Sequence, residues 1–293
     1  MKISLVLSAY NGASYIIPQL DSLRYQSLKI DEVIIRDDKS TDDTVSIIKN
    51  YISRNNLNWI FIQGEENLGW RNAFYELTKL TTGDVIFFCD QDDIWHSRKI
   101  EIMSECFNRN NNIHLLVADE YRFQYNNVPS VWPIGDLKVH KYDTSYSWPY
   151  IQRPGCVFAF DKSAKELYLR VFKKGDAHDL LMWQIAGALD SIWHIRFNAI
   201  LFRRHGSNST PQANRSLEGR LIDVNSLIDV TERLSSDETI RCIAGNRLSA
   251  FRTFLLRRQS FLLSKKPNTL VMLLPVCRYY SSLKSFIADI LSN

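Results

Sequence analysis

A chain of 293 residues with 45% apolar and 23% charged content can bury a sizeable core, as one large domain or one domain with a helical appendage. No apolar run reaches the about 18 residues that a spanning helix needs, and Met1-Lys2 leads straight into a strand-like run, so neither a membrane span nor a secretory leader is expected. The five cysteines (Cys89, Cys106, Cys156, Cys242, Cys277) are scattered and lack CxxC spacing, which argues against a zinc site and fits free thiols in a reducing cytosol; no nucleic-acid partner is expected.

In chain order, Ile3 to Ser8 reads as a strand broken by Ala9-Tyr10-Asn11-Gly12, and Tyr15, Ile16, Leu20 and Leu23 recur at helical spacing. Glu32 to Arg36 is a second strand. It ends in Asp37-Asp38-Lys39-Ser40-Thr41-Asp42-Asp43-Thr44, where Ser40 or Thr41 can cap a helix. Trp59 to Ile62 is a third strand, Asn67-Leu68-Gly69-Trp70 a loop, and Arg71 to Leu80 a helix. Val85 to Cys89 is a buried strand behind the turn Gly83-Asp84, and it runs into Asp90-Gln91-Asp92-Asp93.

Three carboxylates in four positions repel one another unless a positive charge sits among them. Hard divalent ions such as Mg²⁺ or Mn²⁺ suit oxygen ligands and often share their shell with substrate phosphates. The alternation of strand and helix predicts a mostly parallel sheet with helices on both faces. Its crossovers would bring Asp37/Asp38 and Asp90/Asp92 to one edge, where such sheets bind ligands.

Beyond residue 113 the pattern changes. Leu115 to Ala118 is a strand. Residues 121–152 are rich in Tyr, Trp, Pro and Asn without a clean period, and Trp132, Tyr146 and Trp148 sit in that loop, where binding residues concentrate. Trp70, Trp95 and Trp183 are expected in the core. Cys156 to Phe160 is a strand, Lys162 to Phe172 a helix, His178-Asp179 opens another helix, and Ala199 to Phe202 is a strand ending in Arg203-Arg204-His205.

The ordered series Ser4-to-Asn11, Asp37-Asp38-Lys39-Ser40-Thr41-Asp42, Asn67-Leu68-Gly69, then Gly83-Asp84 with Asp90-Gln91-Asp92-Asp93, resembles the inverting family-2 glycosyltransferases of GT-A fold over roughly residues 1–210. The wording Asp-Gln-Asp-Asp-Ile-Trp is similar to bacterial rhamnosyltransferases of O-antigen, capsule and cell-wall polysaccharide assembly. Two departures stand out. His178-Asp179 replaces a Glu-Asp pair, and Lys39 stands where the family usually has Gly or Asn.

The resemblance implies a nucleotide-sugar donor and a divalent metal, Mg²⁺ or Mn²⁺. The best-matching donor is dTDP-rhamnose, with UDP-hexoses as the alternative, and the acceptor is a lipid-linked or oligosaccharide hydroxyl, on whose sugar the loop residues Trp132, Tyr146 and Trp148 would stack. Asp38 would accept from the base, with Ser8 and Tyr10 as walls of that pocket. Asp90 would face the ribose or the metal's water shell, Asp92 would bind the metal, and His205 would complete its shell or touch the pyrophosphate. Arg204, beside Arg203, would meet phosphate. Asp179 would be the general base. Asp38 and Asp179 also have helix-capping alternatives, and His205 that of an exposed loop residue. A receiver-type signalling domain and a non-catalytic nucleotide or carbohydrate-binding module are the competing readings.

The division expected is a catalytic domain over 1–220 and a helical region over 221–293. From Arg241 onward there are nine Lys or Arg and one acid, Asp289, a net +8 against −4 for the preceding residues. Phe251, Phe254, Leu255, Phe261 and Leu262 fall close to one helical face among cations. That face would meet either an anionic leaflet, making the protein cytoplasmic and peripheral on the membrane, or protein: its own core or a second subunit in a homodimer.

Overall fold

The computed structural model describes residues 1–124, 129–204 and 216–291. Two compact units are present. One comprises Met1–Tyr142, Ile151–Met182 and Ser191–Asn208; the other comprises Asp143–Tyr150, Trp183–Asp190 and Ser209–Asn293.

The first unit is built on a nine-stranded sheet of order β3-β2-β1-β4-β8-β6-β9-β5, with β7 paired to β9. Its strands are β1 (Ile3–Ala9), β2 (Glu32–Asp37), β3 (Ile60–Gln63), β4 (Val85–Cys89), β5 (Ile94–Trp95), β6 (Leu115–Gln124), β7 (Val139–Lys141), β8 (Phe158–Asp161) and β9 (Ile192–Arg204). The helices between them are α1 (Ile16–Arg24), α2 (Thr44–Arg54), α3 (Gly69–Leu80), α4 (Lys99–Arg109) and α5 (Lys162–Val171), and α6 (His178–Ala188) starts in this unit. β3, β2, β1 and β4 are parallel, as the strand–helix alternation requires. The chain leaves β1 towards β3 and returns past β1 to β4. Right-handed crossovers therefore send α1 and α2 to one face and α3 to the other, where α1 packs on α2 and α3 on α5.

Beyond β4 the sheet is mixed rather than mostly parallel. β8 runs antiparallel to both β4 and β6, β6 is parallel to β9, and β5 and β7 are antiparallel to β9. The apolar runs that mark these strands carry no direction, so the sequence pattern could not distinguish the two arrangements. β4 is buried throughout, from Val85 to Cys89, and delivers Asp90 at its carboxyl end.

In the second unit, Ser216 caps α7 (Leu217–Ser236) through Gly219 N at 3.1 Å, and Asp237 caps α8 (Glu238–Ser264) through Ile240 N at 3.1 Å. α9 (Pro267–Leu273), a 3-10 helix at Leu274–Tyr279 and α10 (Leu283–Leu291) follow. The boundary expected at residue 220 falls inside α7. Phe251, Phe254, Leu255, Phe261 and Leu262 are all buried: Phe251 meets Trp148 edge-on at 5.1 Å, and Phe254 meets Tyr280 at 5.1 Å. This face is core, so the lipid-facing alternative fails for these five residues.

The loop after β2 holds one unusual conformation. Lys39 has φ of 65°, a left-handed geometry that costs a residue with a Cβ about 1–2 kcal/mol. Asp37 fixes it, accepting from Ser40 N at 2.9 Å and from the Ser40 hydroxyl. The Gly or Asn common in the resembling family would relieve the strain. Lys39→Gly should raise unfolding stability by up to about 1 kcal/mol once glycine's own entropy cost is deducted, read from urea denaturation midpoints; an unchanged or lower midpoint would contradict this.

Candidate active site

The carboxyl end of β4 gathers the acids. Asp90 and Asp93 place carboxylate oxygens, and Cys156 its Sγ, all within 4.8 Å of one another. Burial, then the charges of Asp92 and Asp179, push the Asp90 carboxyl up to about 7. Asp93 is pushed well above the carboxylate range by burial, then by Asp92 and Asp90. Its Oδ1 accepts from Arg203 N at 3.1 Å, whereas its buried Oδ2 has no hydrogen-bond partner among the described residues. An orphaned carboxylate oxygen beside a second carboxylate is the donor set a hard divalent cation takes. The Cys156 thiol is raised by burial and stays protonated, and sulfur does not suit a hard ion, so it acts as a neutral neighbour of the acids.

Two cations are built under the cluster. Lys99 opens α4 fully buried, donates to Cys156 O at 2.6 Å and lies 3.2 Å from the centre of the Trp95 ring. Burial lowers its ammonium to about 8, against the pull of the surrounding acids. Arg203 donates through Nε to Asp92 O at 2.9 Å and packs over Phe123, 4.9 Å from the ring centre. Gln91, the one neutral residue among the acids, clamps the loop after β1: its Oε1 accepts from Tyr10 N at 2.8 Å, and its Nε2 donates to Tyr10 O at 3.0 Å. A Cβ on Gly12 would collide with that Gln91 amide, so any larger residue there would push the Gln91 side chain out of its clamp. Sequence reasoning missed Lys99 and Gln91, whose partners lie far along the chain.

Asp179 occupies the first turn of α6, half-buried, with Oδ1 accepting from Leu180 N at 2.8 Å. The helix starts at His178, so Asp179 is not its N-cap. Its charge is one of the causes that raise Asp90, after burial and Asp92. Gly155 makes room: a Cβ there would stand 2.8 Å from the Asp179 Cβ and 3.0 Å from His178 Nε2. His178 is stacked on Phe74 at 3.9 Å and meets Phe88 edge-on at 4.6 Å. Burial holds its imidazole down to about 4, so it is a neutral packing element.

The other expected site residues divide. Ser8 is half-buried near the end of β1, and the Tyr10 side chain is exposed. Asp38 is only 2% exposed, and its carboxylate accepts from Leu68 N at 3.0 Å, Gly69 N at 2.8 Å and Arg36 Nε at 3.3 Å. These contacts make Asp38 an anchor for the loop leading into α3 and leave little of its carboxylate open to a base. A cavity of about 780 Å³ borders its partners Arg36 and Leu68, and none of the clustered acids lines it.

Arg204 is exposed at the end of β9, and His205 lies outside the described residues. Trp132 is half-buried, pinned by Nε1 to Asn198 O at 2.8 Å and edge-on to His96 at 5.1 Å. Trp148, expected to stack on acceptor sugar, is 1% exposed against Phe251, so it cannot. Its Trp-Pro loop setting concealed a core residue, because the ring that covers it comes from α8.

The chain belongs to glycosyl transferase family 2, whose pattern matches residues 4–161. It is 29% identical over 218 residues to the dTDP-rhamnosyl transferase RfbG of Shigella flexneri, covering 69% of this chain and 72% of that protein. It is 34% identical over 125 residues to the UDP-Glc:alpha-D-GlcNAc-diphosphoundecaprenol beta-1,3-glucosyltransferase WfaP of Escherichia coli, covering 43% of this chain and 45% of that one. Its fold is similar to the crystal structure of S. aureus TarS 1-349 in complex with UDP-GlcNAc, with a TM-score of 0.64 at 18% identity over 99% of this chain and 82% of that one. The architecture is thus GT-A-like, and a receiver domain does not account for a nine-stranded mixed sheet.

The neutral His178 has a thermodynamic consequence. A histidine whose folded pKa of about 4 lies below its ordinary 6.5 binds protons more readily when unfolded. Its contribution is therefore complete above pH 6.5 and is lost as the pH falls towards 4. In His178→Phe, the loss of stability over that interval should be smaller than in the native chain by about 3 kcal/mol, measured by urea denaturation at both ends. An identical acid slope in the two proteins would show that the imidazole is not held neutral.

Proposed function

We propose that this glycosyltransferase is metal-dependent and inverting, and that it moves a sugar from a nucleotide diphosphate donor to a hydroxyl of a lipid-linked or oligosaccharide acceptor in polysaccharide or cell-wall assembly. The observations that carry the reading are the buried carboxylate cluster of Asp90 and Asp93 at the end of β4 and the half-buried Asp179, whose charge acts on Asp90 and whose Cβ lies against Gly155, the residue before Cys156. Asp90, Asp92 and Asp93 would hold Mg²⁺ or Mn²⁺, which when bound neutralises the diphosphate and eases its departure. The buried Lys99 lowers Asp90 electrostatically, and Arg203 holds the loop through Asp92 O and Asp93 Oδ1. Ser8 and Tyr10 would wall the nucleoside, on a loop that Gln91 keeps in register, while Asp38 holds the facing Asn67–Gly69 loop. Arg204 at the end of β9, with His205 beyond it, would meet the pyrophosphate, and Trp132 the acceptor.

Asp179 would accept the proton of the acceptor hydroxyl as its oxygen attacks the anomeric carbon. The bond from that carbon to the diphosphate oxygen breaks in the same step. One displacement inverts the anomeric centre, and no covalent sugar–protein intermediate forms. The relative RfbG supports dTDP-rhamnose as the donor. A UDP-hexose is the second reading, supported by WfaP.

Asp179→Asn preserves size and the hydrogen bond from Leu180 but removes the base. Turnover should fall about 10²–10⁴-fold with donor affinity retained, followed as released nucleoside diphosphate and by equilibrium titration. Loss of donor binding in a folded variant would instead place Asp179 on the donor. A panel of nucleotide sugars should give fastest release with dTDP-rhamnose, and faster release with a UDP-hexose would select the second reading.

A further inference from the structure

The C-terminal helices end in a segment of inverted polarity. The one acid of α10, Asp289, is the residue that helix buries, at 0% exposure. Arg258 donates to Asp289 Oδ2 at 2.6 Å and to Oδ1 at 3.2 Å; Arg220 donates to Oδ1 at 2.9 Å, and the Tyr280 hydroxyl to Oδ2 at 2.7 Å. Charge-assisted bonds of this number fix the rotation of α10 about its axis. That rotation turns its apolar positions outward: Leu283 and Leu291 are each 73% exposed, and Ile287 is exposed between them.

Val271 and Met272 of α9 and Leu274 of the 3-10 helix are exposed as well. Both pieces are tied to the last turns of α8, Arg257 donating to Met272 O at 3.1 Å and Lys265 to Asp289 O at 2.6 Å. Lys266, Arg278 and Lys284 are exposed among these apolar residues. From Arg241 to Leu291 the sequence contains no acid besides the buried Asp289, so the exposed charges this segment itself contributes are all positive, although Asp223 of α7 stands within electrostatic reach of Asp289 and Arg258.

We propose that α9, the 3-10 helix and α10 form a docking surface for an anionic lipid leaflet. Their apolar side chains would enter the headgroup–acyl boundary, with Lys266, Arg278 and Lys284 against headgroup phosphates. A soluble chain rarely leaves so many large apolar side chains in water without a partner. A second copy of the chain fits less well. In a two-fold contact the patch meets itself, and these cations would face like charges with no exposed acid from the same segment to offset them. The inference is independent of the donor and acceptor assigned above, and flotation reads it without turnover.

The test is flotation of the full chain with phosphatidylcholine vesicles, with and without phosphatidylglycerol. The chain should float only with the anionic vesicles and should be released by about 0.5 M salt. Leu283→Glu with Leu291→Glu should lower the bound fraction at least about ten-fold with an unchanged melting temperature. Lys266→Ser with Lys284→Ser, which removes no apolar contact, should weaken binding in the same direction. Absence of flotation on anionic vesicles, equal flotation on neutral ones, or full binding by both paired variants overturns the proposal. So does a concentration-dependent dimer that the leucine pair dissociates while flotation is unaffected.

Discussion

Three carboxylates crowd the end of a strand that is itself wholly buried, and much of the first unit is arranged around that repulsion. Asp90 and Asp93 cannot both remain ionised at neutral pH without help, as the upward displacement of both groups shows. The fold supplies partial help from beneath. Lys99 is fully buried against Trp95, and the Arg203 backbone and guanidinium bind Asp93 and Asp92. Part of the imbalance is left standing, at the Oδ2 of Asp93. A carboxylate site left short of positive charge offers the oxygen donor set that suits a hard divalent cation.

The same geometry explains the spacing of the motif. Asp90, Asp92 and Asp93 feel one another electrostatically, whereas Gln91 reaches away to hold both backbone groups of Tyr10. An acid at position 91 could accept from Tyr10 N but could not donate to Tyr10 O. The loop after β1 is thus registered against β4 by a side chain embedded in the acidic motif. The His178 departure is resolved by packing: Phe74 and Phe88 enclose a neutral imidazole, and the adjacent Asp179 acts on Asp90 through its charge.

The parallel half of the sheet was legible because its strands are short β-branched or aromatic runs set off by turn residues, with helical spacing between them. The acids at the ends of β2 and β4 were legible for the same reason. Their individual roles were not. Asp38 is occupied by backbone N–H groups from a loop thirty residues on, and nothing in its own surroundings signals that. Trp148 and the phenylalanines of α8 read as available surface while apart in sequence; the fold packs Trp148 against Phe251. Asp289 looked like a stray acid in a basic tail, but its burial decides which face of α10 is outside.

The acids at the end of β4 are proposed to form a site completed jointly by a divalent ion and a nucleoside diphosphate. Its most direct test is a calorimetric titration of nucleoside diphosphate into the chain, with Mn²⁺ and again with chelator, repeated on Asp93→Asn. Affinity should be high only with Mn²⁺ and should fall at least about ten-fold in Asp93→Asn, since one lost charged ligand interaction of about 1.4 kcal/mol already gives that factor. Equal affinity with and without the ion, or an Asp93→Asn protein that binds as the native chain does, would contradict the account.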